Sequence, residues 1–268
     1  MFKINKLGCK LSIIALVYVV SSFTNIWAQQ YSVMKEELEY YNSLGNADAT
    51  YYEQNTVAAP KPPSEKSTCD LNKVVYGWHP YWMGNAYQNY DWDLLSHMSF
   101  FSYEVDAATG NANSTHGWST SAAVTAAIAS GNTKVTLCVT LFSNHNTFFA
   151  SSTAQQTLIT NLINLIQSRG AHGVNIDFEG LPSGQKTNFA NFMVNLSNQM
   201  HAAIPGSDVS TVLYAVDWNN VFDFHEVNDL FWKFSQSFSS KTCRIATYAV
   251  EGDELDDIAS STATTGSS

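Results

Sequence analysis

Short apolar runs rich in β-branched and aromatic residues recur along the chain, and amphipathic stretches separate them. The runs predict strands at Lys73–Gly77, His97–Val105, Lys134–Phe142, Gly173–Glu179 and Asp208–Val216. Between them lie three helical patterns. Ser119–Ala129 is Ala-rich and is closed by Ser130-Gly131-Asn132. Ser152–Arg169 carries Leu158, Leu162, Leu165 and Ile166 on one face, with Ser152 and Gln155 spaced as a capping box and Gly170 at its end. Gly184–Ala203 repeats Phe189, Phe192, Met193, Leu196 and Met200 at helical spacing before Pro205-Gly206. Strand and helix alternate repeatedly, which is the pattern of a parallel sheet covered by helices. It fits an α/β chain of (β/α)8 TIM-barrel type or an open doubly wound sheet. Neither Gly-x-Gly-x-x-Gly nor a P-loop follows the first strand, which removes support from the nucleotide-binding version.

The Gly173–Glu179 strand carries the chemistry. With a period of two, Val174, Ile176 and Phe178 point one way, while Asn175, Asp177 and Glu179 point the other. Two strong flanking helices argue against an edge strand with a solvated acidic face. Burying unpaired carboxylates costs several kcal/mol, so an amide and two acids on one face predict a site at the C-terminal end of a barrel strand. Candidate aromatic walls follow other strands. Trp78, Tyr81, Trp82, Phe101 and Tyr103 lie at the ends of the first two, and Tyr214, Asp217 and Trp218 lie at the end of the run at Asp208–Val216. Such rings stack on the apolar faces of sugars, although most aromatic side chains are core. His79 and His145 are isolated and read as loop hydrogen-bonding groups.

Composition narrows the field. The chain has 268 residues, 45% of them hydrophobic, which rules out general disorder. Thirteen Lys and Arg against 23 Asp and Glu leave a formal charge of −10, which repels phosphate and excludes a nucleic-acid partner. Residues 1–28 read as an export leader: Lys3, Lys6 and Lys10, an apolar run over Leu11–Val20, and a cut expected after Ala28. The run is too short for a membrane span, so a secreted chain with no span after cleavage is expected. Losing three lysines and no acids takes the charge from −10 to −13. Cys138 reads as buried packing, and no metal-ligand spacing such as Cys-x-x-Cys occurs. Neither a metal nor a cofactor is expected. Residues 29–68 form an extension ending in the Pro-rich stretch Ala58–Ser67, and the main domain covers 69–230.

His172-Gly173-Val174-Asn175-Ile176-Asp177-Phe178-Glu179 resembles the D-G-x-D-x-D-x-E signature of glycoside hydrolase family 18, the chitinase-like barrels. His172 stands for the first Asp and Asn175 for the second. Asn at the second position is similar to the branch that includes spore-cortex and peptidoglycan-directed N-acetylglucosaminidases. The stretches Val74–Trp82, His97–Gly110 and Lys134–Phe142 resemble the family's first three strands in order, and the likeness covers about residues 73–230. The resemblance implies retaining, substrate-assisted hydrolysis of N-acetylglucosamine polymers, without a metal, in which the acetamide of the sugar supplies the nucleophile. It casts Glu179 as general acid and base, with a raised pKa. Asp177 would hold the acetamide N–H, Asn175 would hydrogen-bond Asp177, and Trp78, Phe101, Tyr214, Asp217 and Trp218 would contact sugar. A non-catalytic carbohydrate-binding protein is the rival. A metal-dependent deacetylase would need ligands the sequence lacks.

After Leu230 the pattern fails. The family's Met-x-Tyr-Asp is missing, with Thr247-Tyr248 as a faint echo, and residues 231–268 read as a divergent, disordered tail. About five βα units are expected, which makes the barrel incomplete. A reading-frame error near Leu230, a genuine truncation and completion by another chain are the three explanations, and the abruptness of the change favours the first.

Overall fold

The computed structural model describes residues 32–45, 48–58, 74–213 and 243–247. Two compact units divide the chain, Met1–Tyr40 and Tyr41–Ser268. The first contributes most of α1 (Val33–Ser43), in which Lys35 Nζ lies 3.9 Å from Glu39 Oε1 one turn on.

The second unit opens with α2 (Ala49–Asn55), capped by the Asp48 side chain. β1 (Tyr76–Pro80) comes next, then a 3-10 stretch over Tyr81–Asn89, β2 (His97–Val105), the short β3 (Ala112–Ser114) and α3 (Ala122–Ser130). β4 (Lys134–Leu141), α4 (His145–Ala150), α5 (Ser152–Arg169), β5 (Gly173–Phe178), α6 (Lys186–Ala203), β6 (Asp208–Leu213) and β7 (Cys243–Thr247) complete it. Among the described residues the strands form one sheet in the order β1-β2-β4-β5-β6-β7, with every neighbouring pair on that path parallel and β3 antiparallel to β2. A doubly wound sheet reverses its strand order partway. Here the order follows the chain without reversal, which is the order of an arc of a (β/α)8 barrel.

Three elements differ from the sequence reading. The first strand is Tyr76–Pro80 rather than Lys73–Gly77, so Trp78 and His79 lie within it. Register decides this: Tyr76 pairs with His97, the first residue of β2, and their rings stack at 5.3 Å and 12°. The α5 cap is Ser151, not Ser152. Its side chain accepts from Ala154 N at 3.1 Å, while Gln155 turns back to the carbonyls of Phe148 and Phe149. Finally, Cys243–Thr247, within the stretch read as a disordered tail, pairs in parallel with β6 as a sixth parallel strand.

The core has two layers. Val135, Leu137 and Val139 of β4 and Val174, Ile176 and Phe178 of β5 are buried on the outer side of the strands, together with Leu158, Leu162 and Ile166 of α5 and Phe189, Phe192 and Met193 of α6. Inside the arc the same strands present Thr136, Cys138 and Thr140, then Asn175 and Asp177. Residues 41–58, set apart in the sequence as part of an extension, are built into this unit. Tyr41 stacks on Trp82 at 4.7 Å, and Tyr52 meets Tyr81 edge to face. The Glu53 carboxylate accepts from Ser121 Oγ and from the backbone N–H groups of Ala122 and Ala123, the free N-terminal donors of α3. No helix among the described residues is long and apolar enough to cross a membrane.

Candidate active site

β5 holds the site because it is clamped from both sides. On its outer face Phe178 stacks on Phe192 at 5.8 Å and 11°, and meets Phe148 edge to face at 5.6 Å. That aromatic cluster fixes the C-terminal end of the strand. At the other end β6 comes so close that a Cβ on Gly173 would lie 1.8 Å from the Asp208 carbonyl oxygen, so only glycine fits. Between these anchors Asn175, Asp177 and Glu179 face inward, 0%, 1% and 7% exposed. The period-two reading of this strand matches what the fold does with it.

Burial, and after it the charge and hydrogen bond of Glu179, push the Asp177 carboxyl well above the usual carboxylate range. In this buried setting the charge of each carboxylate disfavours ionisation of the other. Asp177 Oδ1 is buried and has no hydrogen-bond partner among the described residues. Such an atom is costly unless a ligand meets it. The sequence reading expected a raised pKa at Glu179, and the fold raises Asp177, two residues before it on the same face. The Cys138 thiol, on the neighbouring strand opposite Asn175, is pushed well up by burial and then by the two carboxylates.

Asn175 does not play the part expected of it. Its Oδ1 accepts from Trp78 Nε1 at 3.0 Å and its Nδ2 donates to Ser210 Oγ at 2.9 Å. Both ends of the amide are therefore engaged sideways, and the expected hydrogen bond to Asp177 does not form. Trp78 is brought to the site by β1 and is half-buried, bound to Asn175 through its N–H.

The other aromatic candidates are mostly core. Phe101 has no exposed surface and packs edge-on against Trp82, which corrects its reading as a sugar contact. Tyr81 stacks on His116, and Tyr103 donates to the Gly110 carbonyl. Tyr214, Asp217 and Trp218 lie outside the described residues. His79 and His145 do serve as hydrogen-bonding groups, though inside elements rather than loops. His79 meets the Tyr90 hydroxyl at 3.0 Å, and His145 Nε2 meets the Leu141 carbonyl at 2.9 Å. His172, where the resembling signature has Asp, accepts from Val135 N through Nδ1 at 2.9 Å and so ties β4 to the start of β5. Sequence reasoning missed Tyr76, Ser99, Thr136, Thr140 and Ser210, which line the strand interior with hydroxyls. The signal was present as polar alternation in Lys134–Leu141. Among the described residues no group of three or more His, Cys, Asp and Glu is arranged to hold a metal ion.

A sequential arc of parallel strands, with a buried acid pair at the end of β5, has the order of part of a (β/α)8 barrel. Solved structures of that fold superimpose on the chain. A chitinase from Bacteroides thetaiotaomicron matches over 67% of this chain and 54% of its own, at 16% identity and a TM-score of 0.52. A mutant family 18 chitinase from Cycas revoluta, in complex with (GlcNAc)4, matches over 66% and 55% at 14% identity and 0.52. The Group IV chitinase of Ostrinia furnacalis matches over 59% and 49% at 14% identity and 0.50. The chain thus spans about half the length of the chitinases it matches. No family profile matches the sequence, and no curated protein sequence is detectably similar.

Proposed function

We propose that the chain is a glycoside hydrolase that cleaves β-linked N-acetylglucosamine polymers, chitin or peptidoglycan-type glycans, by retaining, substrate-assisted hydrolysis. One observation carries the reading: the buried Asp177–Glu179 pair at the end of β5, with Asp177 Oδ1 open. The ligand of the Cycas revoluta chitinase, (GlcNAc)4, supports the same substrate class.

In this mechanism the acetamide oxygen of the sugar bonds to its own anomeric carbon as the glycosidic C–O bond breaks. Glu179 gives its proton to the departing oxygen. Asp177 accepts the acetamide N–H at Oδ1 and offsets the positive charge of the cyclic intermediate. Water then attacks the anomeric carbon from the side Glu179 occupies, and its proton returns to Glu179. Configuration is retained, because two inversions occur in succession. Tyr214, Asp217 and Trp218 are proposed as further sugar contacts, and residues 1–28 as an export leader.

The test is hydrolysis of N-acetylglucosamine oligomers by the full chain. Glu179→Gln should lower kcat by roughly 10²–10⁴-fold while oligomer binding persists, and NMR of the first product should show the β-anomer. Equal turnover by wild type and variant would overturn the proposal, as would an α-anomer product.

A further inference from the structure

Asn175 sits in a hydrogen-bond frame that allows it one orientation. An indole N–H donates and never accepts, so the atom 3.0 Å from Trp78 Nε1 must be the amide oxygen. Nδ2 is then on the other side, 2.9 Å from Ser210 Oγ. Ser210 gives its own proton to the Val174 carbonyl at 3.4 Å, which leaves its oxygen free to accept from the amide. The usual ambiguity between the two amide flips is thus removed by chemistry. Asp177 lies two residues on and on the same face, yet it receives no hydrogen bond from this amide, and its Oδ1 is unpartnered among the described residues.

Among the described residues, the titratable groups that face the carboxylate pair from the neighbouring strands are neutral. On β4 it is the Cys138 thiol, and deeper in the arc on β1 it is Tyr76, which burial raises to about 12. β2 and β6 contribute the hydroxyls of Ser99 and Ser210. None of these described groups is a cation.

We propose that Trp78 and Ser210 are positioning residues. By holding both ends of the Asn175 amide they keep its N–H away from Asp177, so that Asp177 shares its proton with Glu179 alone and presents a bare Oδ1 to an N–H of the bound sugar. The sugar in this statement rests on the glycosidase reading, whereas the proton sharing depends only on the side chains.

Trp78→Phe keeps an aromatic ring and removes the group that pins Oδ1. The amide is then free to turn Nδ2 toward Asp177, and a hydrogen bond to the charged form favours ionisation. The experiment follows the infrared C=O band of the protonated acid in the full chain across pH, with the band assigned by its loss in Asp177→Asn. The midpoint should fall by about one pH unit in Trp78→Phe. It should not fall when Asn175→Ala is added, because no amide remains to donate. Should Trp78→Phe fail to fold, Ser210→Ala releases the other end of the amide and should move the midpoint in the same direction.

If oligomers are turned over, the alkaline limb of kcat should move down by the same amount. An unchanged midpoint in the folded variant overturns the proposal, as does a shift that persists in the Trp78→Phe, Asn175→Ala double variant. Absence of turnover in the wild type overturns the glycosidase reading instead and leaves the infrared titration to decide the positioning role.

Discussion

Asp208 shows how a single buried acid is made tolerable at the far end of the strands from the active site. It opens β6, and its Oδ2 lies 2.9 Å from both His97 Nε2 and Lys134 Nζ, the first residues of β2 and β4. Burial alone would raise its pKa. The hydrogen bonds and charges of His97 and Lys134 outweigh burial and hold it below the usual carboxylate range. A depressed carboxylate contributes stability that is fully present above its unfolded pKa and is lost as pH falls through the folded value. Asp208→Asn should therefore cost about 2 kcal/mol near neutrality, less than a fully buried pair because the Lys134 side chain is 38% exposed. The difference from wild type in urea midpoint should shrink below about pH 4. A difference that is constant with pH would mean that packing, not charge, holds the three strand starts together.

At the level of elements, one helix end is completed by a residue far away in sequence. α3 is Ala-rich and has no acidic residue in its first turn. Glu53 of α2 supplies the missing charge from 68–70 residues upstream, through four hydrogen bonds to Ser121, Ala122 and Ala123. A carboxylate there satisfies orphan N–H groups and meets the positive end of the helix dipole. Glu53→Ala should cost about 1–2 kcal/mol by thermal or urea unfolding, with Glu53→Gln losing less because its amide oxygen still accepts. No loss in either variant would mean that residues 41–58 are held by their aromatic contacts alone. This join could not be read from sequence, since nothing local to Glu53 marks it as a cap.

Across the whole molecule, protection follows position in the arc. β4 and β5 are flanked by strands on both sides and buried almost throughout, whereas the first three residues of β1 are only half-buried. Amide exchange should be slowest in β4 and β5 and faster at Tyr76–Trp78, since local opening tracks buried contact. Equal protection in β1 would show that its outer edge is covered.

Periodicity by itself determined the helix 152–169, the helix read from Gly184 that begins at Lys186 and ends at Ala203, the strand His97–Val105, and the inward face Asn175-Asp177-Glu179. Each depends on a local repeat of apolar side chains that one burial surface satisfies. Contacts distant in sequence decided the rest. The β1 boundary was set by register against His97, because a parallel ladder aligns strand starts and not local propensity. The fate of Phe101 as core, the role of His172 as a backbone acceptor, and the capture of Asn175 by Trp78 and Ser210 all depend on which strands become neighbours. The acid pair was legible because its two members share one strand face. The partner that holds Asn175 was not, because Trp78 is 97 residues away and only the closing of the sheet brings its N–H within 3.0 Å.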